Sequence, residues 1–229
     1  MKAILLAAGY GTRLRPLTKT IPKCLMPIKG KPLLEIWIEN LIKIGVVEIL
    51  INTHYLNEIV ENYILGSKYA NYIKVFYEKN LLGTAGTLLA NLDFLENEDC
   101  ILIHSDNYCE QDLIQFIIAH KNRPKSTFLT MMTFITDNPK NSGIVEINND
   151  NILINFFEKV TNPPSNIANA AVYILTKQFI DELIVYSKNE KLSDFSTQVL
   201  HKFLGKIYTY KTNSIFIDIG TIENYNKIK

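Results

Sequence analysis

Several things are scarce in this chain, and each scarcity removes a class of function. The 229 residues hold only three cysteines, Cys24, Cys100 and Cys109, with no C-x-x-C pair. Neither a zinc knuckle nor a disulfide framework is therefore expected, and a reducing compartment is. Charge of one sign is missing too: 24 basic and 23 acidic side chains leave a net charge of +1. No broad basic surface is offered to nucleic acid or an anionic membrane, so any anion site must be local. No apolar run is long enough to span a bilayer. The histidines His54, His104, His120 and His201 are scattered. His104 lies just before Asp106 on a strand-like run, where a lone histidine is more often packed than reactive. The chain begins directly in an apolar run with no leader-like segment, so the expected setting is cytoplasmic. Hydrophobic residues at 47% and charged residues at 21% are those of an ordinary globular protein with a substantial core.

What is present is concentrated early. Residues 3–27 read AILLAAGYGTRLRPLTKTIPKCLMP, an apolar run that meets a turn with Gly9 and Gly11, followed by Thr12, Arg13, Arg15 and Lys23. A strand that ends in such a turn presents consecutive backbone N–H groups to one point, which suits a polyphosphate. Three other readings compete. A phosphate loop of the form G-x-x-x-x-G-K-[ST] occurs nowhere in the chain. A dinucleotide fingerprint needs a third glycine where Leu14 stands. A plain turn accounts for the glycines but not for the cations that follow.

Short apolar runs alternate with helical signals through the first half. Strands are expected at 2–7, 48–52, 73–77 and 100–104, and helices at 33–44, 57–65 and 84–95, with Gly45 and Gly66 closing the first two helices. This order implies βαβ units, hence an α/β fold with a doubly wound, mostly parallel, Rossmann-like sheet and helices on both faces. Sites in such sheets lie at the carboxyl ends of the strands, where the glycine loop, His54, the Gly83 turn and Asp106 fall. Beyond about residue 120, shorter strands are expected at 127–133, 143–147, 152–158 and 170–175. A turn at 148–151, a loop at 162–165 and a helix at 177–188 complete that part. The second half thus reads as a small additional β element over the sheet edge. One domain over residues 1–229 is expected, with 1–120 mainly for nucleotide and 121–229 mainly for sugar phosphate.

LLAAGYGTRLRPLT followed by PKCLMPIKGKPLLE resembles the signature of the sugar-1-phosphate nucleotidyltransferases, close to G-x-G-T-R-L-x-P-L-T and then P-K-P-L-x-P. Cys24 stands where proline is usual. The resemblance implies a GT-A-like fold and a nucleotide site made by Leu6, Ala7, Ala8, Gly9, Gly11, Thr12, Arg13 and Lys23. It also implies that the L-G-T-A-G turn brings Leu82, Gly83 and Thr84 to the nucleobase, with Thr84 or Thr87 available as a helix cap. The turn's form resembles that of mannose- and heptose-1-phosphate guanylyltransferases, with Leu81 where other relatives carry glutamine. Asp106, after Ser105 in place of the common glycine, and Asp218 in D-I-G-T match the carboxylates of the family. Two such groups can hold Mg2+ while phosphates fill other positions. In the sugar-phosphate half, Gly143, Glu158, Lys159 and Asn169 match the family's segments, with Val160 and Ala171 departing from its proline and glycine. No hexapeptide repeat occurs, so no left-handed β-helix is expected within these residues.

The activity so implied joins a nucleoside triphosphate, GTP favoured, to a mannose- or heptose-like sugar 1-phosphate, giving a nucleotide sugar for polysaccharide biosynthesis and pyrophosphate. Arg13, Lys23, Asp106 and Asp218 are its expected catalytic set. The same chemistry with UTP, dTTP or CTP, a non-catalytic nucleotide-sugar-binding regulator and an NAD(P)-dependent oxidoreductase are the alternatives. The expected partners are these small molecules, with neither nucleic acid nor membrane, and a homodimer is allowed for.

Overall fold

The strand β4 (Ile49–Thr53), following β1 (Lys2–Leu6), β2 (Pro27–Ile28), β3 (Lys31–Pro32) and α1 (Leu33–Lys43), is buried at every position, as a strand covered on both faces must be. It comes from a computed structural model that describes residues 1–95 and 98–229. The chain continues through α2 (Asn57–Leu65), β5 (Ile73–Tyr77), α3 (Thr84–Ala90), α4 (Leu92–Leu95), β6 (Cys100–His104), β7 (Asn107–Cys109) and α5 (Leu113–Lys121). It closes with β8 (Leu129–Ile135), β9 (Gly143–Ile147), β10 (Leu153–Glu158), β11 (Ile167–Leu175), α6 (Lys177–Asn189), β12 (Ile207–Lys211), β13 (Phe216–Asp218) and α7 (Ile222–Asn226). The fold is α/β, with a mostly parallel central sheet and helices. By contact the chain forms two compact units, one of Met1–Leu81, Ile103–Leu113 and Ser214–Lys229, the other of Leu82–Leu102 and Ile114–Asn213.

In the first unit β1 pairs in parallel with β4, and β4 with β5. The end of β6 joins β1 through Ser105, whose N–H and hydroxyl both donate to the Leu6 carbonyl at 3.1 and 2.7 Å. Helix α1 buries Leu33, Leu34, Trp37, Ile38 and Leu41, the stripe that a period of 3.6 prescribes. Each such side chain contributes roughly 1.5–3 kcal/mol by leaving water. Gly45 closes α1 at φ +84°, with Val46 N–H bonded to Leu41 O and Gly45 N–H to Ile42 O. This is a Schellman ending, which glycine adopts without a Cβ penalty. A ribbon of β7 against β13 pairs Asn107 with Asp218, and the Trp37 indole N–H anchors it by donating to Asn107 O at 2.7 Å.

The second unit is mixed. β8 pairs antiparallel with β11 and parallel with β12, while β9 pairs antiparallel with both β10 and β11. Its core stacks Phe179 on Phe203 at 4.4 Å and Tyr173 on Phe195 at 4.8 Å between ring centres. The hairpin expected at 148–151 joins β9 to β10. The Asn148 side-chain oxygen accepts from the amides of Asp150 and Ile152, so its own chemistry makes the turn. The helix expected over 84–95 is interrupted instead. Asn91 turns its side chain back to donate to Thr87 O at 2.8 Å, which separates α3 from α4.

β11 carries an irregularity between Asn169 and Tyr173, and Ala171 within it has φ +52°. An L-residue there costs about 1–2 kcal/mol, and glycine's extra unfolded-state freedom returns about 0.4–1 of that. Ala171→Gly should therefore stabilise the protein by about 0.5–1 kcal/mol, read as a higher urea midpoint at unchanged m-value.

Candidate active site

β1 ends at Leu6 and the chain turns through residues 7–11 before a short 3-10 turn at Thr12–Leu14. The main-chain amides of residues 9–13 have no hydrogen-bond partner among the described residues. An added Cβ at Gly9 would meet nothing within 4 Å, so the protein's own packing does not demand glycine there. Gly11 differs. Its φ is +61°, and a Cβ would lie 3.0 Å from the Thr18 methyl and 3.2 Å from Lys23 Cβ. Leu6 and Ala7, also expected to face nucleotide, are engaged internally. Leu6 O receives Ser105, and the Ala7 amide donates to Asn52 Oδ1 at 2.6 Å.

The charged residues singled out in the sequence come together. Lys23 Nζ lies 2.6 Å from Asp106 Oδ2 and 3.4 Å from Asp218 Oδ1, and Arg13 reaches Asp218 Oδ2 at 3.6 Å. Lys23 is 10% exposed at its side chain and Arg13 62%, so one cation is set into the site and the other stands over it. Burial disfavours charge on Asp106, but the Lys23 ammonium beside it, with His104, outweighs that and holds its carboxyl below the usual range. Asp218 is fixed by its own turn, accepting from Gly220 N–H at 2.7 Å while Asn224 donates to its carbonyl. A Cβ at Gly220 would stand 2.7 Å from both the Arg13 guanidinium and the Asp218 carboxylate, so a larger residue there would displace these side chains. Cys24, beside Lys23, is buried and its thiol is pushed up to about 12, so it takes no part as a thiolate near neutrality. Among the described residues no group of three or more His, Cys, Asp or Glu is placed to hold a metal ion. Asp106 and Asp218 converge on one cation, the Lys23 ammonium, and two carboxylates of this kind suit a hard divalent ion completed by water and phosphate.

The second unit holds the remaining candidates. Glycine at position 83 is required by the protein itself: φ is +79° and a Cβ would lie 2.3 Å from Ser193 O. That carbonyl also accepts from Ala85 N–H at 2.9 Å, and Thr84 Oγ1 accepts from Phe195 N–H at 2.7 Å. Neither Thr84 nor Thr87 caps α3, because both hydroxyls have other bonds. The hairpin register sets Glu158 opposite Gly143, and Ala168 pairs with Ile144, so Glu158, Gly143 and Asn169 form one row across β10, β9 and β11. Lys159 follows at φ +49° with its ammonium 3.0 Å from Glu158 Oε1. Asn169 is partly committed to its own strand, accepting from Ala171 N–H and donating to Tyr173 Oη. One amide hydrogen and one lone pair of its side chain are left for a ligand.

A family model described as nucleotidyl transferase matches residues 2–229. The chain belongs to that family. A Campylobacter jejuni protein named D-glycero-alpha-D-manno-heptose 1-phosphate guanylyltransferase is 30% identical over 227 residues, 98% of this chain and 97% of its own. A Sulfolobus acidocaldarius protein named for mannose-1-phosphate guanyltransferase activity is 30% identical over 230 residues, and this chain spans 62% of its length. The crystal structure of HddC from Yersinia pseudotuberculosis, complexed with GMP-PN, superposes with a TM-score of 0.81 at 28% identity, covering 99% of this chain and 97% of that one. No helix is long and apolar enough to cross a membrane among the described residues.

Asn52, Tyr55 and Glu78 lie outside the motifs, yet they brace the glycine loop: Asn52 bonds Ala7 and Glu78, and Tyr55 bonds Thr18, which bonds Gly11. The signal in the sequence is the run Asn52-Thr53-His54-Tyr55, which closes the buried strand β4 and leaves it. Because Lys23 lowers the Asp106 pKa, Lys23→Met should raise it, as read by carboxyl carbon NMR. A depressed carboxylate contributes stability that is complete above its unfolded value near 3.9 and is lost as pH falls through the folded value. Wild type should therefore lose stability as pH falls below about 4, a loss that Lys23→Met, with the depression removed, should not show.

Proposed function

We propose that the protein transfers a nucleotidyl group from a nucleoside triphosphate, with GTP preferred, to a mannose- or heptose-like sugar 1-phosphate. The observation that carries this reading is Lys23, set between Asp106 and Asp218 next to a loop of unpartnered amides. Those amides, with Arg13 and Lys23, suit the phosphates of the nucleotide, since oriented N–H groups and full charges together favour a polyanion. Gly9 leaves room for a phosphate to approach the main chain closely. Leu82, Gly83 and Thr84 take the base edge, and Glu158, Gly143 and Asn169 take sugar hydroxyls while Lys159 takes the sugar phosphate.

A phosphomonoester is already largely ionised near neutrality, with a second pKa of about 6. The protein therefore needs no nucleophile of its own and no strong base. The sugar phosphate oxygen attacks the α-phosphorus in line, and pyrophosphate leaves. What the side chains supply is alignment of two anions and stabilisation of the charge that builds on the leaving group. Mg2+ held by Asp106 and Asp218 would add positive charge where the phosphates gather. Preference for GTP rests on the guanylyltransferase names of the relatives and on the GMP-PN complex of the similar fold. The activity is placed in the cytoplasm, where nucleoside triphosphates are made, and feeds polysaccharide biosynthesis.

The test is magnesium-dependent pyrophosphate release over a grid of nucleoside triphosphates and sugar 1-phosphates. GTP with a manno-configured 1-phosphate should be the best pair. Lys23→Ala and Asp106→Asn should each lose roughly 2–4 kcal/mol of transition-state stabilisation, ~30- to ~900-fold in kcat/KM, with wild-type circular dichroism. Wild-type turnover in folded Lys23→Ala would remove the assignment.

A further inference from the structure

Tyr10 sits between the two glycines of the phosphate loop, and its hydroxyl lies 3.0 Å from His54 Nε2. The other ring nitrogen, Nδ1, lies 2.8 Å from the Glu78 carbonyl oxygen. A carbonyl can only accept, so Nδ1 carries the hydrogen, and in the neutral ring Nε2 is then the acceptor. Tyr10 therefore donates. Its ring stands edge-on to His54 at 5.4 Å between centres and leans on Tyr55 at 5.4 Å.

Further contacts reach the same loop from the same strand ends. Tyr55 Oη donates to Thr18 O at 3.0 Å, and the Thr18 hydroxyl donates to Gly11 O at 2.7 Å. Asn52 accepts from Ala7 N–H and donates to Glu78 Oε1 at 2.8 Å. The loop is thus gripped at Ala7, Tyr10 and Gly11, while its own amides at 9–13 are bonded to nothing among the described residues. A segment with two glycines whose amides at 9–13 donate to nothing among the described residues has much freedom to lose when a ligand orders it.

We infer that Tyr10 and His54 are positioning residues that hold the phosphate loop in its binding shape before nucleotide arrives, with His54 in the Nδ1–H tautomer as the fixed post. The inference rests on the nucleotidyl-transfer reading only in that the ligand is a nucleotide; the loop's restraint is a property of the unliganded protein. Preordering of this kind lowers the cost of association and leaves the chemical step alone.

The experiment compares Tyr10→Phe, His54→Asn and His54→Gln with wild type. Phenylalanine keeps the ring and loses the donor. Asparagine keeps a donor for Glu78 O and loses the acceptor for Tyr10, whereas glutamine places an acceptor near the former Nε2. The readouts are KM for magnesium GTP, KM for mannose 1-phosphate, kcat, and amide hydrogen exchange of residues 8–13 without ligand. Tyr10→Phe and His54→Asn should raise the nucleotide KM about five- to tenfold, as loss of one hydrogen bond does. They should leave kcat and the sugar-phosphate KM within about twofold and speed exchange in the loop. His54→Gln should lie closer to wild type than His54→Asn on both measures. Unchanged nucleotide KM and unchanged exchange in Tyr10→Phe and His54→Asn would overturn the inference, as would His54→Gln matching His54→Asn. Should wild type release no pyrophosphate from any pair, the proposed function fails, and loop exchange alone still decides this point.

Discussion

One ammonium group organises the candidate site of the first unit. Lys23 Nζ bonds Asp106 and approaches Asp218, which lie 83 and 195 residues away in the chain. Two carboxylates brought this close repel unless a cation lies between them, and in a partly desolvated site that repulsion is large. The lysine answers it while its arm runs against Gly11. The same charge therefore settles both carboxylates and abuts the loop whose amides at 9–13 have no partner among the described residues. Lysine is suited to this because it is a compact point charge on a flexible stem, able to serve several oxygens in turn.

The surroundings explain why the arrangement holds without ligand. Asp218 is locked by its own turn through Gly220 and Asn224, and the β7–β13 ribbon that carries it is tied to α1 by Trp37. Ser105 replaces a glycine common in the resembled motif and uses its hydroxyl to join Asp106's segment to the end of β1. Cys24, at a position where proline is usual, fills buried space as a small apolar group. Departures from the motif thus fall on packing and connection, and the charged groups are intact.

Much of the scaffold was legible because burial writes itself into composition. β4, β5, β6 and α2 fall within a residue of the expected bounds, since each is an apolar or amphipathic run ended by a turn former. What was not legible depends on contacts distant in sequence. β7 and β13 are three residues each, too short to leave a periodic trace, and they exist because they pair with each other. The break at Asn91 comes from a side chain competing for a helical carbonyl. Glycine at 83 was expected for the sake of a ligand, and the structure supplies a nearer reason in the Ser193 carbonyl. The convergence of Arg13, Lys23, Asp106 and Asp218 could be anticipated only from their order in a motif. The support given by Asn52, Tyr55 and Glu78 was hidden because each residue reads singly as an ordinary residue at or just past a strand end.

We propose that the glycine loop, Lys23 and the two carboxylates form one receptor for a metal-bound triphosphate. A crystal structure with magnesium and a non-hydrolysable GTP analogue tests it most directly. Phosphate oxygens are expected within hydrogen-bonding distance of the amides of residues 9–13 and of Lys23, with Asp106 and Asp218 oxygens about 2.0–2.1 Å from the metal. An analogue bound with its phosphates away from Gly11 and Lys23, or a metal held by other residues, would contradict it.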